Sequence, residues 1–410
     1  MSFSNPFRPG AGHAPPYLAG RTDETNEFRR LLKQRTILEN LILTGLRGVG
    51  KTVLLDTFKP LAVSEGWRWA SSDLSESTGV SEKTTSQRLM TDVAVLTSSI
   101  VIQESVSHGM GFLANNRTTQ HTLSYATLEH IYESTPGLAS DKLKAVLELV
   151  WDVLRQINPP PKGIVFAYDE AQNMCDHPST EEYPLSLLLD IFQSLQRKGI
   201  PFMLVFAGLP TLFPKLVEAR TYSERMFRVL FLNRLEGSDI RDAIVKPIDA
   251  DECPITFSNP SIDIITRESC GYPYFIQFIC RETYDVFLQQ LTDGTEPSVP
   301  VAEITRKLDT DFFAGRWARV TDRQRTLLFV IAHLDNSDDE FSVQDIVDKS
   351  KEMLAKSFGS SHTNQMLLSL SNSGLVYKNR HGRYSLAVPL LNQFIRRQEN
   401  IDGLQRAADR

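Results

Sequence analysis

The sequence predicts an α/β protein: a parallel sheet covered by helices, then a helical region, then a C-terminal domain of helices and a small ribbon. Three observations predict it. Leu41-Ile42-Leu43-Thr44 is an apolar run of strand length that stops at a glycine, and a helical pattern starts from about Lys51. Gly163 to Tyr168 and Pro201 to Ala207 are two further apolar runs, of the kind shown by parallel strands buried on both faces. A helical stretch from about Leu185 to Arg197 separates them, and strand, helix, strand in that rhythm implies βαβ crossovers.

The rest of the chain is read around that frame. Residues 1 to 20 are rich in Pro and Gly and are expected to lack regular structure. Thr22 reads as a helix N-cap, with Asp23 and Glu24 in the favourable first turn. A second strand is expected near Trp67. Residues 100 to 140, rich in Ser, Thr and Asn, carry no readable motif; an inserted helical segment and a mobile loop are both open. From Asp141 to Ile157, Leu143, Val146, Leu147, Val150, Trp151 and Leu154 share one helical face, and Pro159-Pro160-Pro161 ends it. After Leu235 the pattern changes to short helices without long strand runs.

Bulk composition narrows the class. The chain has 410 residues, enough for two or three domains, with 41% apolar and 23% charged residues, ordinary for a globular protein. The net charge of −6 rules out a polycation, so any nucleic-acid contact must come from a local patch. No apolar run approaches the roughly 18 residues of a membrane span, so no membrane partner is expected. The N-terminus lacks a basic head followed by an apolar stretch and does not read as a secretion signal. Cys175, Cys253, Cys270 and Cys280 form no C-x-x-C pair; four reduced structural thiols and a cytoplasmic location are expected.

The chemistry lies in two places. Gly45-Leu46-Arg47-Gly48-Val49-Gly50-Lys51-Thr52 matches G-x-x-x-x-G-K-[ST] in full, after a strand and before a helix. Glycines let backbone N–H groups converge on phosphate oxygens, and the helix N-terminus adds favourable dipole charge. Lys51 is expected to reach the β- and γ-phosphates of ATP, and the Thr52 hydroxyl to ligate Mg²⁺. Val53 follows in the same turn. The second place is Ile164-Val165-Phe166-Ala167-Tyr168-Asp169-Glu170, an apolar strand delivering two carboxylates at its C-terminal end, where open α/β sheets bind ligands. Asp169 is expected to hold Mg²⁺ and Glu170 to polarise the attacking water.

These motifs resemble the Walker A and Walker B elements of the AAA+ superfamily. Pro16-Tyr17-Leu18-Ala19-Gly20-Arg21 with Asp23-Glu24 resembles the leader of the origin-recognition, archaeal-ATPase and signal-transduction (STAND) branches, which packs against adenine. Ala207-Gly208-Leu209-Pro210 resembles the end of the sensor-1 strand in transposition-type and ExeA-type ATPases (the TniB and ExeA kind). Gly271-Tyr272-Pro273 resembles the G-x-P of the helical lid. The resemblance implies a leader and first helix over 1–36, an ATPase core over 37–235, a lid over 236–312, a further domain over 313–400 and a tail over 401–410. It also implies nucleotide contacts from Tyr17, Leu18, Arg21, Gly45, Arg47, Gly48, Val49, Gly50, Lys51, Thr52, Val53 and Pro273.

Two departures stand out. Gly208 holds the sensor-1 position, usually Asn, Thr or Ser, and Tyr274 stands where many lids carry the sensor-2 Arg. Both usual γ-phosphate contacts from within the subunit are then lacking, and hydrolysis is expected to be slow or to depend on a neighbour. Arg220-Thr221-Tyr222-Ser223-Glu224-Arg225 lies where related proteins place a trans arginine finger. Arg225 is the preferred candidate and Arg220 the runner-up.

At the C-terminus, Thr321-Asp322-Arg323-Gln324 has the form of a capping box, Ser342 reads as a second cap, and a third helix is expected from about Ser361 to Ser371. Leu375-Val376-Tyr377, a turn at Gly382 and Tyr384-Ser385-Leu386-Ala387 complete a pattern that resembles a winged helix-turn-helix. His362 and Gln365, with Ser361, are expected on the exposed side of its recognition helix; Lys378, Arg380, His381 and Arg383 make a basic wing suited to phosphates. Residues 310 to 410 hold 14 Lys or Arg against 12 Asp or Glu, a balance of only +2, and many winged helices serve protein contacts instead.

The resemblance leaves three functions open. One is an oligomeric ATPase acting on double-stranded DNA. Another is a STAND-like signalling or anti-phage defence switch whose winged helix meets a partner, its effector being a separate protein. A plain transcription factor with a degenerate ATPase is a third, opposed by the intact Lys51, Asp169 and Glu170.

Overall fold

A computed structural model describes residues 4–10, 12–98, 100–108, 115–250, 253–380 and 382–398. By contacts the chain divides into two compact units, one of residues 22–44 and 51–231, the other of 1–21, 45–50 and 232–410.

The first unit runs α1 (Thr22–Leu31), β1 (Asn40–Thr44), α2 (Lys51–Ser64), β2 (Arg68–Asp73), α3 (Glu82–Thr97), β3 (Val101–His108), β4 (Asn115–Thr122), α4 (Tyr125–Ser134), α5 (Ala139–Leu154), β5 (Ile164–Asp169), α6 (Pro184–Arg197), β6 (Phe202–Gly208), α7 (Leu212–Ala219), α8 (Ser223–Met226) and β7 (Phe227–Phe231). Five strands form a wholly parallel sheet in the order β2-β5-β6-β1-β7. Every residue of β1, β5 and β6 is buried, as the apolar runs require of central strands; the edge strands β2 and β7 are part-exposed. Register places Thr44 beside Gly208 and Tyr168 beside Phe206, so β1, β5 and β6 end at one edge of the sheet.

A buried polar residue helps set that register. Asn40 Oδ1 accepts from Leu204 N at 2.8 Å and Gln196 Nε2 at 2.9 Å, and its Nδ2 donates to Met226 O at 3.2 Å. One amide at the start of β1 thus ties β6, α6 and the entry to β7, leaving no orphaned group to penalise its burial.

The Ser/Thr/Asn-rich segment is neither an all-helical insert nor a shapeless loop: it holds an antiparallel pair, β3 and β4, followed by α4. Strands of this composition lack the apolar alternation that announces a half-buried strand, so the pattern was silent there. Thr22 opens α1 as its first residue.

The second unit continues with α9 (Ser238–Ala250), α10 (Asn259–Ser269), α11 (Pro273–Asp293), α12 (Val301–Leu308), α13 (Ala314–Trp317), α14 (Asp322–Ala332), β8 (Phe341–Ser342), α15 (Val343–Met353), α16 (Ser360–Asn372), β9 (Val376–Arg380), β10 (Arg383–Leu386) and α17 (Leu391–Arg397). One core runs through it from Phe7 to Ile395, with Phe275, Phe312, Phe313 and Phe394 in successive ring contacts 5.1, 4.9 and 5.0 Å apart. Two expectations are corrected. The helices after Leu235 are not all short, since α11 spans 21 residues. The ribbon is three-stranded, because Phe341–Ser342 pairs with β10. The capping boxes at Thr321 and Ser342 both form.

Candidate active site

The loop between β1 and α2 owes its shape to glycine. Gly48 and Gly50 sit at φ 80° and 91°, in the left-handed region that side chains disfavour. A Cβ on Gly45 would lie 2.4 Å from Leu232 O, so no other residue fits there. Arg21 braces the loop from outside: its buried guanidinium donates to Val49 O at 3.0 Å and Asn233 O at 2.8 Å. Tyr274 N donates to Gly48 O at 3.1 Å, and its ring packs against Phe275, Phe278 and Phe312. Tyr274, expected at the sensor-2 position, thus holds the loop through its backbone N–H while its ring is fixed among phenylalanines. Pro273 starts α11, and Gly271 O accepts from Leu235 N at 2.8 Å. In the leader, Leu18 is half-buried, and the Tyr17 ring lies 4.2 Å from Lys246 Nζ, which also donates to its hydroxyl.

In the other unit, Lys51, Thr52 and Val53 form the first turn of α2. Thr52 Oγ1 donates to Asp169 Oδ2 at 2.5 Å, and Glu170 N donates to Asp169 Oδ1 at 2.7 Å. Burial pushes the Asp169 carboxyl up from its ordinary value, against those two hydrogen bonds and the nearby Lys51 charge. A desolvated carboxylate beside a hydroxyl is a pair of hard oxygen donors, and it fits Mg²⁺ completed by phosphate and water. Among the described residues no group of three or more His, Cys, Asp or Glu offers an alternative, all-protein metal site. A cavity of about 470 Å³ opens beside the pair, lined by Thr52, Asp169, Asp56, Asp73, Ser72 and Arg88.

Glu170 sits at φ 51°, a left-handed conformation rare for a residue with a side chain. Its carboxylate accepts from Gln172 Nε2. Gln172 escaped the sequence reading; the signal for it was Gly208, since the space a side chain would need there is filled by the Gln172 amide.

The two arginines after α7 differ. Arg220 is engaged, with Nε and Nη2 on the two oxygens of Asp190 at 2.9 and 2.7 Å, and Tyr222 Oη donates to the same carboxylate. Arg225 is exposed, and its guanidinium makes no hydrogen bond or ion pair among the described residues.

At the C-terminal end, Ser361, Gln365 and Lys378 are exposed. His362 is a correction: it is half-buried, its Nε2 is shielded from solvent, and its ring lies 6.5 Å from Phe358. It stands one position before the buried Thr363, turned toward the core side of α16. Arg383 is part-buried and pairs with Asp345 at 3.5 Å. The Arg380 side chain and His381 lie outside the described residues.

No curated protein matches the chain. Residues 310–395 match a domain of unknown function, DUF8462. Solved structures similar over nearly the whole length include the following two. The Walker-type ATPase of Pyrococcus abyssi shares 13% identity at TM-score 0.55, covering 92% of this chain and 96% of that one. The ORC2 protein of Aeropyrum pernix, solved with ADPNP and ADP, shares 14% identity at TM-score 0.54, covering 98% of each. At such identity the likeness is one of fold. Among the described residues no helix is long and apolar enough to cross a membrane. With its five-stranded parallel sheet and glycine-rich loop, the chain has the fold of the AAA+ P-loop ATPases.

Proposed function

We propose that this protein binds ATP with Mg²⁺ and hydrolyses it, and that nucleotide controls an oligomer acting on double-stranded DNA through the 313–400 region as a winged helix. The observation that carries the ATPase reading is the Thr52–Asp169 contact: it joins the two sequence motifs, 117 positions apart, at one point.

The residues divide the work. Backbone N–H groups of Gly45–Gly50 cradle phosphate oxygens, and Lys51 adds a point charge. Thr52 and Asp169 would hold the Mg²⁺, which supplies charge neutralisation when bound. Glu170 takes the proton of the attacking water; the water oxygen bonds to the γ-phosphorus, and the bond to the β–γ bridging oxygen breaks, leaving ADP with the electron pair. Arg225 is the candidate group acting in a neighbouring subunit, its side chain being exposed and unengaged where Arg220 is paired.

Glu170→Gln tests this. It should bind ATP with wild-type affinity and release phosphate at least about 10²-fold more slowly. Equal rates in mutant and an active wild type would remove Glu170 from the mechanism.

A second reading, the STAND-like switch with a protein partner, is favoured by one observation. The Arg47 side chain of the phosphate loop reaches toward the turn before β9: a Cβ on Gly374 would come 3.2 Å from Arg47 Nη2. A loop side chain that reaches a C-terminal output region suits a nucleotide-held closed state. Hydrolysis measured with and without duplex DNA, beside ATP-dependent assembly, separates the two. Stimulation by duplex supports DNA action; neither effect until a protein is added supports the switch.

A further inference from the structure

Gly208 poses a question that the ATPase reading leaves open. It ends β6 at the sheet edge where Asp169 and Glu170 emerge, and it has no side chain to offer. Its φ is not in the left-handed region, so the backbone there does not demand glycine. What demands it is a neighbour: a Cβ on Gly208 would lie 2.8 Å from Gln172 Oε1 and 3.0 Å from Leu212 Cδ2.

Gln172 fills that space with both ends of its amide in use. Its Nε2 donates to Glu170 Oε2, and its Oε1 accepts from Leu209 N at 3.0 Å. The turn that carries it is held as well. Lys215 Nζ donates to Gln172 O at 2.8 Å, and Asn173 Nδ2 donates to Leu74 O at 2.8 Å. Gln172 is 8% exposed. A buried amide so satisfied has one orientation available, since rotating it by half a turn would put its NH₂ against the Leu209 N–H and its oxygen against a carboxylate. The orientation is therefore imposed by the partners.

We infer that Gln172 is the positioning residue for Glu170, and that its amide takes the place of the polar side chain that Gly208 lacks at the end of β6. The inference rests on the ATPase reading of Glu170. Held by one oxygen, the Glu170 carboxylate keeps its other oxygen for water. Held also to Leu209 N through the same amide, it is fastened to the strand end beside the phosphate loop's own strand. Glu170 sits in a left-handed backbone conformation at a strand end, and without the amide its side chain would be free to leave the orientation that catalysis requires. Gly208 and Gln172 are then a matched pair: the amide arrives from the turn after β5, and the adjacent strand leaves the room.

The matched pair gives a test with a change of sign. Gln172→Ala should lower the turnover number about 10- to 100-fold, by analogy with the loss of the partners that orient metal ligands, with the ATP dissociation constant within about twofold of wild type. Gly208→Asn alone should also slow turnover, because its side chain meets Gln172. In the Gln172→Ala background the same Gly208→Asn should raise turnover, because an amide then returns to the site from the other strand. Hydrogen exchange gives a readout independent of turnover: the Leu209 amide should exchange faster in Gln172→Ala than in wild type. Glu170→Gln is measured alongside. If the wild type hydrolyses nothing, or Glu170→Gln matches it, the ATPase reading falls and this inference with it. If Glu170→Gln is inactive while Gln172→Ala keeps the wild-type rate, this inference alone falls. It falls too if Gln172→Ala loses ATP affinity in proportion to rate, or if Gly208→Asn slows both backgrounds alike.

Discussion

The Walker residues and the C-terminal residues singled out for DNA are held in different ways. Around Thr52, Asp169 and Glu170, each side chain has a named partner at hydrogen-bond distance, and the loop before them has glycines where no other residue fits. In the C-terminal region, Gln365 and Lys378 face solvent, Arg383 reaches Asp345 only at 3.5 Å, and His362 has turned inward. A site imposed by backbone geometry has one arrangement to adopt, which is why a short motif can announce it. A solvated polar face has many, and it commits to a partner only on meeting one.

Four substitutions break or sharpen that contrast. The largest effect is expected where an exposed residue belongs to the catalytic side. Arg225→Ala should keep ATP binding and lose hydrolysis by about 10³-fold or more, the range of arginine fingers. Mixing it with Glu170→Gln subunits should restore activity, since one composite site then carries both groups. An active wild type that stays monomeric with ATP and DNA would return Arg225 to the ordinary surface. Next is Lys51→Ala, which should weaken ATP binding by on the order of 100-fold in a titration of the folded protein, because the phosphates lose a point charge. Gly48→Ala should cost about 1–3 kcal/mol in thermal or denaturant unfolding, from φ 80° and a Tyr274 Cβ only 3.1 Å from the new methyl.

The smallest effect tests the paired arginine. Arg220→Ala should cost about 1 kcal/mol at neutral pH, a modest figure because both partners are over a third exposed and water screens them. Burial alone raises the Asp190 carboxyl, but Arg220 and Tyr222 outweigh burial and hold it below its ordinary value. A lowered carboxylate stabilises fully above the ordinary range and loses that share as pH falls through the lowered value. The stability gap between wild type and Arg220→Ala should therefore narrow in acid, and a gap independent of pH would count against the ion pair.

The same contrast explains what could be read in advance. The strands β1, β5 and β6 were legible because strands buried on both faces must be continuously apolar. The phosphate loop was legible because its glycines answer a backbone demand. Asp169 and Glu170 were legible as a strand end. The β3–β4 pair was not, because its polar composition leaves no apolar period for the eye to find. Gln172 was hidden for another reason: its importance is relational, arising from an absence 36 positions later at Gly208 that only the pairing of β5 with β6 brings alongside. His362 misled because the winged-helix resemblance places a residue only by its position along a helix, and one flanking the buried Thr363 can lean either way.

If the closeness of the Arg47 guanidinium to Gly374 couples the loop to the C-terminal helices and ribbon, it carries a thermodynamic obligation. Two binding events that each depend on this coupling are reciprocally linked. If occupancy of the loop changes the free energy of the C-terminal arrangement by about 1.4 kcal/mol, whatever binds that arrangement changes its affinity tenfold, and it must alter nucleotide affinity by the same factor. Sender and receiver are then not built into the molecule. Under the switch reading proposed above, the concentrations of nucleotide and partner would decide which end informs the other.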